Sequence, residues 1–196
     1  MSEAVPRFLL ASGSPRRREL LGNAGYRFEV VAPATEEIAP PALTVREITG
    51  WNALRKGLAV ARAYPGAVVL AADTLVALEN EIIGKPADLA EARRILARLS
   101  GRQHTVATGV FVGHLARGRT ESFVVVSRVF FRQWDRRQIE RYLGEIEPLD
   151  KAGAYAAQGR GRAIVRRIVG SRTNVIGLPL EKTRAALTRF GIRPVA

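Results

Sequence analysis

Asp73 closes the run VVLAAD, five apolar residues ending in a carboxylate. A run of that length reads as a strand buried on both faces, so its final carboxylate emerges at the sheet's edge, where α/β proteins place their sites. Thr74 follows with a hydroxyl. Glu36 and Glu37, in an upstream loop, add further oxygen donors. Together with Asp73 they would suit a hard divalent cation whose other ligands are phosphate oxygens and water. Read alone, the same letters describe a turn-opening aspartate and a solvated acidic pair.

Anion chemistry is written in LLASGSPRRRELL, residues 9–21. Four apolar residues, Phe8 to Ala11, run into Ser12-Gly13-Ser14-Pro15, and Ser14 followed by proline marks a helix start. A strand, a tight turn and a helix N-terminus gather backbone N–H groups and partial positive charge in one place. The Ser12 and Ser14 hydroxyls add donors there, although capping would occupy Ser14. Arg16 and Arg17 carry forked donors that match phosphate oxygens. No GxxxxGK[ST] or GxGxxG occurs, and a capped surface helix with solvated arginines would have the same letters.

Of 31 basic residues only four are lysines: Lys56, Lys85, Lys151 and Lys182. Lys56 aligns with Ile48, Asn52 and Ala59 at helical spacing, so it lies on an inward stripe and needs a partner or ligand. Lys85 sits in a turn stiffened by Pro86, and Lys151 follows Asp150 in an irregular segment. Each alone reads as a surface lysine. His104 and His114 are too few and badly spaced for a zinc site.

Composition bounds the rest. The 196 residues contain no cysteine, which excludes disulfides and thiolate metal sites and fits a reducing cytoplasm. No stretch is long and apolar enough for a membrane helix, and MSEAVPRFLL does not read as a signal peptide. The formal charge of +13 predicts attraction to polyanions. The basic residues are nevertheless scattered, without an aromatic-interleaved patch or a nucleic-acid motif. A nucleic-acid-binding regulator is therefore the alternative to an enzyme.

The elements that position these groups follow from periodicity and punctuation. Strands are expected at 8–11, 28–32 and 67–72, a hairpin at 75–78 with 81–83 around Glu79-Asn80, and further strands near 104–112, 121–132 and 163–169. Helices are expected from Pro15 to a stop at Gly25, from the Thr44–Glu47 capping box to about Tyr64, and along the Leu89, Ala92, Leu96 and Leu99 stripe. Two more are expected near 135–143 and over 179–190. Early alternation followed by clustered strands predicts a mixed α/β domain with a partly antiparallel sheet.

Six segments, LLASGSPRRRELL, AADTLV, IIGKP, LSGRQHTVATGV, EPLDKAGAYAAQGRG and GSRTNVIGLPL, stand in the order seen in Maf proteins, which are nucleoside triphosphate pyrophosphatases. The resemblance runs from about residue 7 to residue 190. It implies one domain over 1–196 with an elongated Maf/ITPase-like fold, a mixed sheet flanked by helices and two lobes around a central cleft. It also implies a cytoplasmic homodimer that uses Mg²⁺ or Mn²⁺. The chain looks most like the subgroup acting on dTTP and UTP, whose base-preference positions fall on Arg16, Thr74 and Gln158. The catalytic aspartate falls on Asp73, and further polar site positions fall on Ser14, Arg17, Glu36, Lys56, Lys85 and Lys151.

Ser12, Ser14, Arg17 and the three lysines would then hold phosphates, and Glu36 and Asp73 the metal. Spacing does not decide whether Asp73 is metal ligand or general base, nor whether Arg16 faces phosphate or base. One departure is Gly57, where the resemblance implies alanine. A helical glycine costs about 1 kcal/mol relative to alanine.

Overall fold

Strand β1 (Phe8–Ala11) is buried at all four positions, as an uninterrupted apolar run must be when helices cover both faces of a sheet. In the computed structural model, which describes residues 6–79 and 81–195, α1 (Pro15–Asn23) leads from it to the short β2 (Glu29–Val30). The long α2 (Val45–Ala63) crosses to β3 (Val68–Leu78). Then follow β4 (Glu81–Ile83), α3 (Leu89–Leu99), β5 (Gln103–His114), β6 (Arg119–Phe131) and α4 (Arg136–Leu143). After an irregular stretch come β7 (Val165–Val169), α5 (Arg172–Ile176) and α6 (Leu180–Arg189). Among the described residues the sheet order is β2-β1-β3-β5-β6-β7, with β4 also on β3. Pairing is parallel between β1 and both β2 and β3, and antiparallel elsewhere.

The expected mixed α/β fold is present, with three differences. The strand expected at 28–32 is limited to Glu29–Val30. The run expected to stop at residue 72 instead continues unbroken to Leu78, so Asp73 lies in mid-strand. The hairpin with Glu81–Ile83 is the far end of that same strand, and its turn residue Asn80 lies outside the described residues. Pairing to β5 runs without interruption from Val69 to Ala77, and it carries the strand through the polar Asp73-Thr74 step. Finally, α5 was not anticipated. It has five residues, and Ser171 caps it by accepting from the Asn174 N–H.

Side-chain alternation along β3 divides the molecule. Val68, Leu70 and Ala72 pack with Leu21 of α1 and with Ala186 and Leu187 of α6. Val69 and Ala71 pack on the opposite face with Val60 and Ala61 of α2. Farther along, Val76 and Leu78 belong to a separate core under α3 and α4. On β5 the order is mirrored, with Val110 and Val112 in the first core and Val106 in the other. The boundary between the cores is polar. Thr74 and Thr108 are register partners, and their hydroxyls stand 2.9 Å apart. Two lobes thus share three long strands, with a hydrophilic seam across them.

Gly57 is explained by its neighbour. A Cβ at this position would lie 2.0 Å from Phe111 Cδ1, and Phe111 is fully buried in the α2-side core. The aromatic ring occupies the volume that an alanine methyl would need.

Candidate active site

The cleft opens where β3 lacks a neighbour. β1 pairs with β3 only as far as Ala71, and β4 takes over only at Val76. Over residues 72–75 no described strand covers that edge. Asp73 and Thr74 therefore reach the same opening from opposite faces of the sheet. The crevice lies beyond the C-terminal end of β1, the end of a parallel strand at which open α/β sheets place their sites.

On the α2 face, Asp73 is only 2% exposed. Its Oδ1 accepts from Lys56 Nζ at 2.7 Å, and its Oδ2 accepts from Asn52 Nδ2 at 3.3 Å. Lys56 Nζ also donates to Glu37 Oε1 at 2.6 Å. The expected helical stripe holds for Ile48, Asn52 and Lys56 and continues through Val60 rather than Ala59. Burial alone would raise the Glu37 carboxyl, but the Lys56 hydrogen bond and the charges of Lys56 and Lys85 hold it below its ordinary value.

The acidic loop requires a correction. Glu37, not Glu36, lines the cleft. The Asn52 amide clamps the Ile38 main chain, accepting from its N–H at 3.1 Å and donating to its carbonyl at 2.9 Å. That clamp fixes which of the two adjacent glutamates turns inward. Both glutamates are exposed residues; the Glu37 carboxylate reaches Lys56, whereas the Glu36 carbonyl receives Arg55 Nη1. Asn52 is a site residue that helical spacing alone places only on the inward stripe. Its signal was the four-residue spacing to Lys56.

On the other face, Arg17 Nε donates to the Gly177 carbonyl at 2.9 Å. Its Nη1 donates to Ser12 Oγ and its Nη2 to Thr74 Oγ1, each at 3.0 Å. Burial lowers the guanidinium's pKa, opposed by the charge of Asp73. A guanidinium has five N–H donors, so these three bonds leave two for a ligand. The serines exchange their expected parts: Ser14 makes no side-chain cap, while Ser12 Oγ accepts from the Ser14 N–H at 3.2 Å. The Ser14 hydroxyl is thereby left to the cleft that it lines. The Thr74 hydroxyl is committed to Arg17, Thr108 and the Gly177 carbonyl.

The second lobe supplies the opposite wall. The Tyr142 hydroxyl, which burial pushes up to about 12, donates to the Gly161 carbonyl and accepts from the Ala156 N–H. These bonds hold the irregular segment that carries Gln158. Asp150 accepts from Arg16 at 2.6 Å and from Lys151 at 2.5 Å. Burial would raise the Asp150 carboxyl, but those two cations keep it low. Lys85 lines the cleft from a turn held by the Gly153 N–H to Gly84 carbonyl bond.

Two compartments meet here. One of about 380 Å³ is lined by Ser12, Ser14, Arg17, Lys56 and Lys85. The other, of about 420 Å³, carries Leu75, Val76, Ile82, Val106, Tyr155 and Ile176, with Gln158 and Thr74. Ser14, Arg16, Arg17, Glu37, Lys85 and Asp150 border both. A cationic cup joined to an apolar slot has the dimensions and chemistry for a polyphosphate tail and a flat ring. Among the described residues no three acidic or histidine side chains could hold a metal unaided. Glu37 and Asp73 do converge on one positive charge, that of Lys56, and two carboxylates plus phosphate oxygens are the usual Mg²⁺ environment.

An α/β fold whose cleft joins a cluster of cations and carboxylates to an apolar slot defines a protein that takes a phosphorylated small molecule. Comparison with known proteins narrows it: the family described as Maf-like protein matches residues 7–190, and the chain belongs to that family. A dTTP/UTP pyrophosphatase of Symbiobacterium thermophilum is 48% identical over 188 residues, covering 95% of each chain. One of Anaeromyxobacter dehalogenans is 48% identical, also covering 95% of each. One of Vibrio cholerae is 45% identical over 95% of this chain and 99% of its own.

Proposed function

We propose that this chain hydrolyses dTTP and UTP to the nucleoside monophosphate and pyrophosphate, clearing surplus or modified pyrimidine nucleotides. The observation that carries this is the gap along β3, where Asp73 with Lys56 and Glu37 meets the Ser12–Arg17 turn beside an apolar slot. The names of the similar proteins supply the substrate.

In this proposal water attacks the α-phosphorus. The bond from that phosphorus to the α–β bridging oxygen breaks, and pyrophosphate leaves with the bonding pair. Catalysis of this kind is positioning and charge neutralisation. Ser14, the free donors of Arg17, and Lys85 hold the phosphate oxygens. Lys56 neutralises charge on the leaving pyrophosphate, Lys151 adds charge from the second-lobe side, and Arg16 keeps that lobe in place through Asp150 beside the base. Glu37 and Asp73 would hold a divalent cation, Mg²⁺ or Mn²⁺, which supplies further charge neutralisation on the phosphates. In this proposal Asp73 also orients the water and takes its proton. Gln158 and Tyr155 flank the base.

A single-domain homodimer in the cytoplasm belongs to the same proposal. No described helix is long and apolar enough to cross a membrane, and light scattering checks the dimer. The deciding experiment is a nucleotide panel with Mg²⁺ or Mn²⁺, scoring products. Pyrophosphate and monophosphate from dTTP and UTP, lost with EDTA and restored by either metal, are expected. Orthophosphate release, or no turnover of any pyrimidine triphosphate, would overturn the assignment.

A further inference from the structure

Gln158 Nε2 donates to Glu19 Oε2 at 3.1 Å. The partners come from opposite lobes, Glu19 from α1 and Gln158 from the segment after Tyr155. Arg16, one turn earlier on α1, grips Asp150 at the start of that segment. Residues three apart share a helix face, so one face of α1 holds the segment at two points. Neither bond was expected from sequence.

An ionised carboxylate can only accept hydrogen bonds, whereas an amide has one accepting and one donating end. Glu19 therefore favours one orientation of the Gln158 amide, with the NH₂ toward Glu19; Gln158 lines the cleft, and with the NH₂ so held its carbonyl oxygen is the accepting end that a ligand would meet. The NH₂ keeps a second N–H. The end offered to a ligand is then an acceptor beside a donor, in fixed order.

We propose that Glu19 is a positioning residue that locks the Gln158 amide in one of its two flip states and so makes the cleft choose uracil and thymine over cytosine. This rests on the proposed function above. Uracil and thymine present N3–H as donor and O4 as acceptor, the complement of the locked amide. Cytosine presents the reverse, N3 as acceptor and its 4-amino group as donor. To match cytosine the amide must flip, which sets its carbonyl oxygen against the Glu19 carboxylate, acceptor against acceptor. The 5-methyl group of thymine lies off this edge, so one device serves both dTTP and UTP.

The test is the ratio of kcat/KM for UTP to that for CTP in the wild type, Glu19→Gln and Glu19→Lys. The ratio is independent of how much protein folds. The wild type is expected to favour UTP. Glu19→Gln can meet either flip state and should lower the ratio by about tenfold, the scale of one bidentate base contact. Glu19→Lys only donates, so it should draw the Gln158 carbonyl to itself and move the ratio further toward CTP. A ratio unchanged in both variants, or a wild type that uses CTP as well as UTP, overturns the lock and leaves the pyrophosphatase assignment standing. A wild type that releases no pyrophosphate overturns both.

Discussion

Lys56 and Asp73 form an ion pair 2.7 Å apart at the one stretch of β3 where both faces of the sheet open to a common cleft. The pair is more than a structural buried bridge, because Lys56 extends to Glu37 and all three side chains line the cleft compartments. Asp73→Asn keeps the shape and removes the charge. Lys56 retains Glu37, while the new amide cannot satisfy both Lys56 and the Asn52 donor. Unfolding free energy should fall by only about 1–2 kcal/mol, whereas pyrophosphate release should fall about 100-fold or more. Parallel urea titrations and product assays separate the two effects. Near-normal turnover would remove Asp73 from the chemistry.

Gly57→Ala sets two known magnitudes against each other. Alanine gains about 1 kcal/mol in helix propensity. Overpacking a filled core costs about 1–3 kcal/mol, and the new methyl would lie 2.0 Å from the Phe111 ring. Phe111 is itself fully buried in the α2-side core, and a close-packed interior leaves its ring little room to shift. Net destabilisation is expected, relieved when Phe111→Leu is added. A thermal melt of the single and double variants checks this, and an equal or raised Tm for Gly57→Ala alone would refute it.

Local signals carried most of the architecture into the sequence. The Thr44–Glu47 capping box forms as expected, with Thr44 Oγ1 accepting from the Glu47 N–H and the Glu47 carboxylate accepting from the Thr44 N–H. The α3 stripe buries Ala92, Leu96 and Leu99 together with Ile95, whereas Leu89 at its first position is exposed. What stayed hidden depends on partners distant in sequence. Asp73-Thr74 looks like a strand end because polar residues interrupt the apolar run, yet β5 pairs straight through it. Glu36 and Glu37 are chemically identical, and contacts from α2 separate them: the Asn52 clamp on Ile38, Arg55 on the Glu36 carbonyl and Lys56 on the Glu37 carboxylate. The opposite duties of Ser12 and Ser14 depend on Arg17 folding back on Ser12, which spacing alone does not reveal.

His104 sets a pH dependence of stability. Its ring is buried between Phe131 and Tyr155, with Nε2 3.0 Å from the Tyr155 hydroxyl, and burial lowers its pKa from 6.5 to about 4. Between these values the unfolded chain binds a proton that the folded chain does not. Stability therefore falls as pH drops through 6.5, and the loss is complete below about 4. The full effect is of the order of 3 kcal/mol. Carboxylates in ion pairs act in the same direction, so the measurement is a difference: the slope of unfolding free energy between pH 7 and pH 4.5 should be shallower in His104→Gln than in the wild type. Equal slopes would show that His104 titrates normally.

Arg17 joins three segments, taking Ser12 from the β1 turn, Thr74 from β3 and the Gly177 carbonyl after α5. Arg17→Lys keeps the charge but replaces a planar fork with one nitrogen on a flexible stem. A single ammonium cannot reach all three acceptors in the guanidinium's places, and each buried acceptor left without a partner costs about 1–3 kcal/mol. The variant should lose about 2–4 kcal/mol in urea unfolding. Its KM for UTP should rise about tenfold, because the fork's two remaining donors are lost as well. Thr74→Val removes one acceptor and leaves the guanidinium and its free donors in place. If Arg17 both joins the segments and holds phosphate, Thr74→Val should lower stability without the same rise in KM. Equal changes in KM for the two variants would assign Arg17 to the scaffold alone.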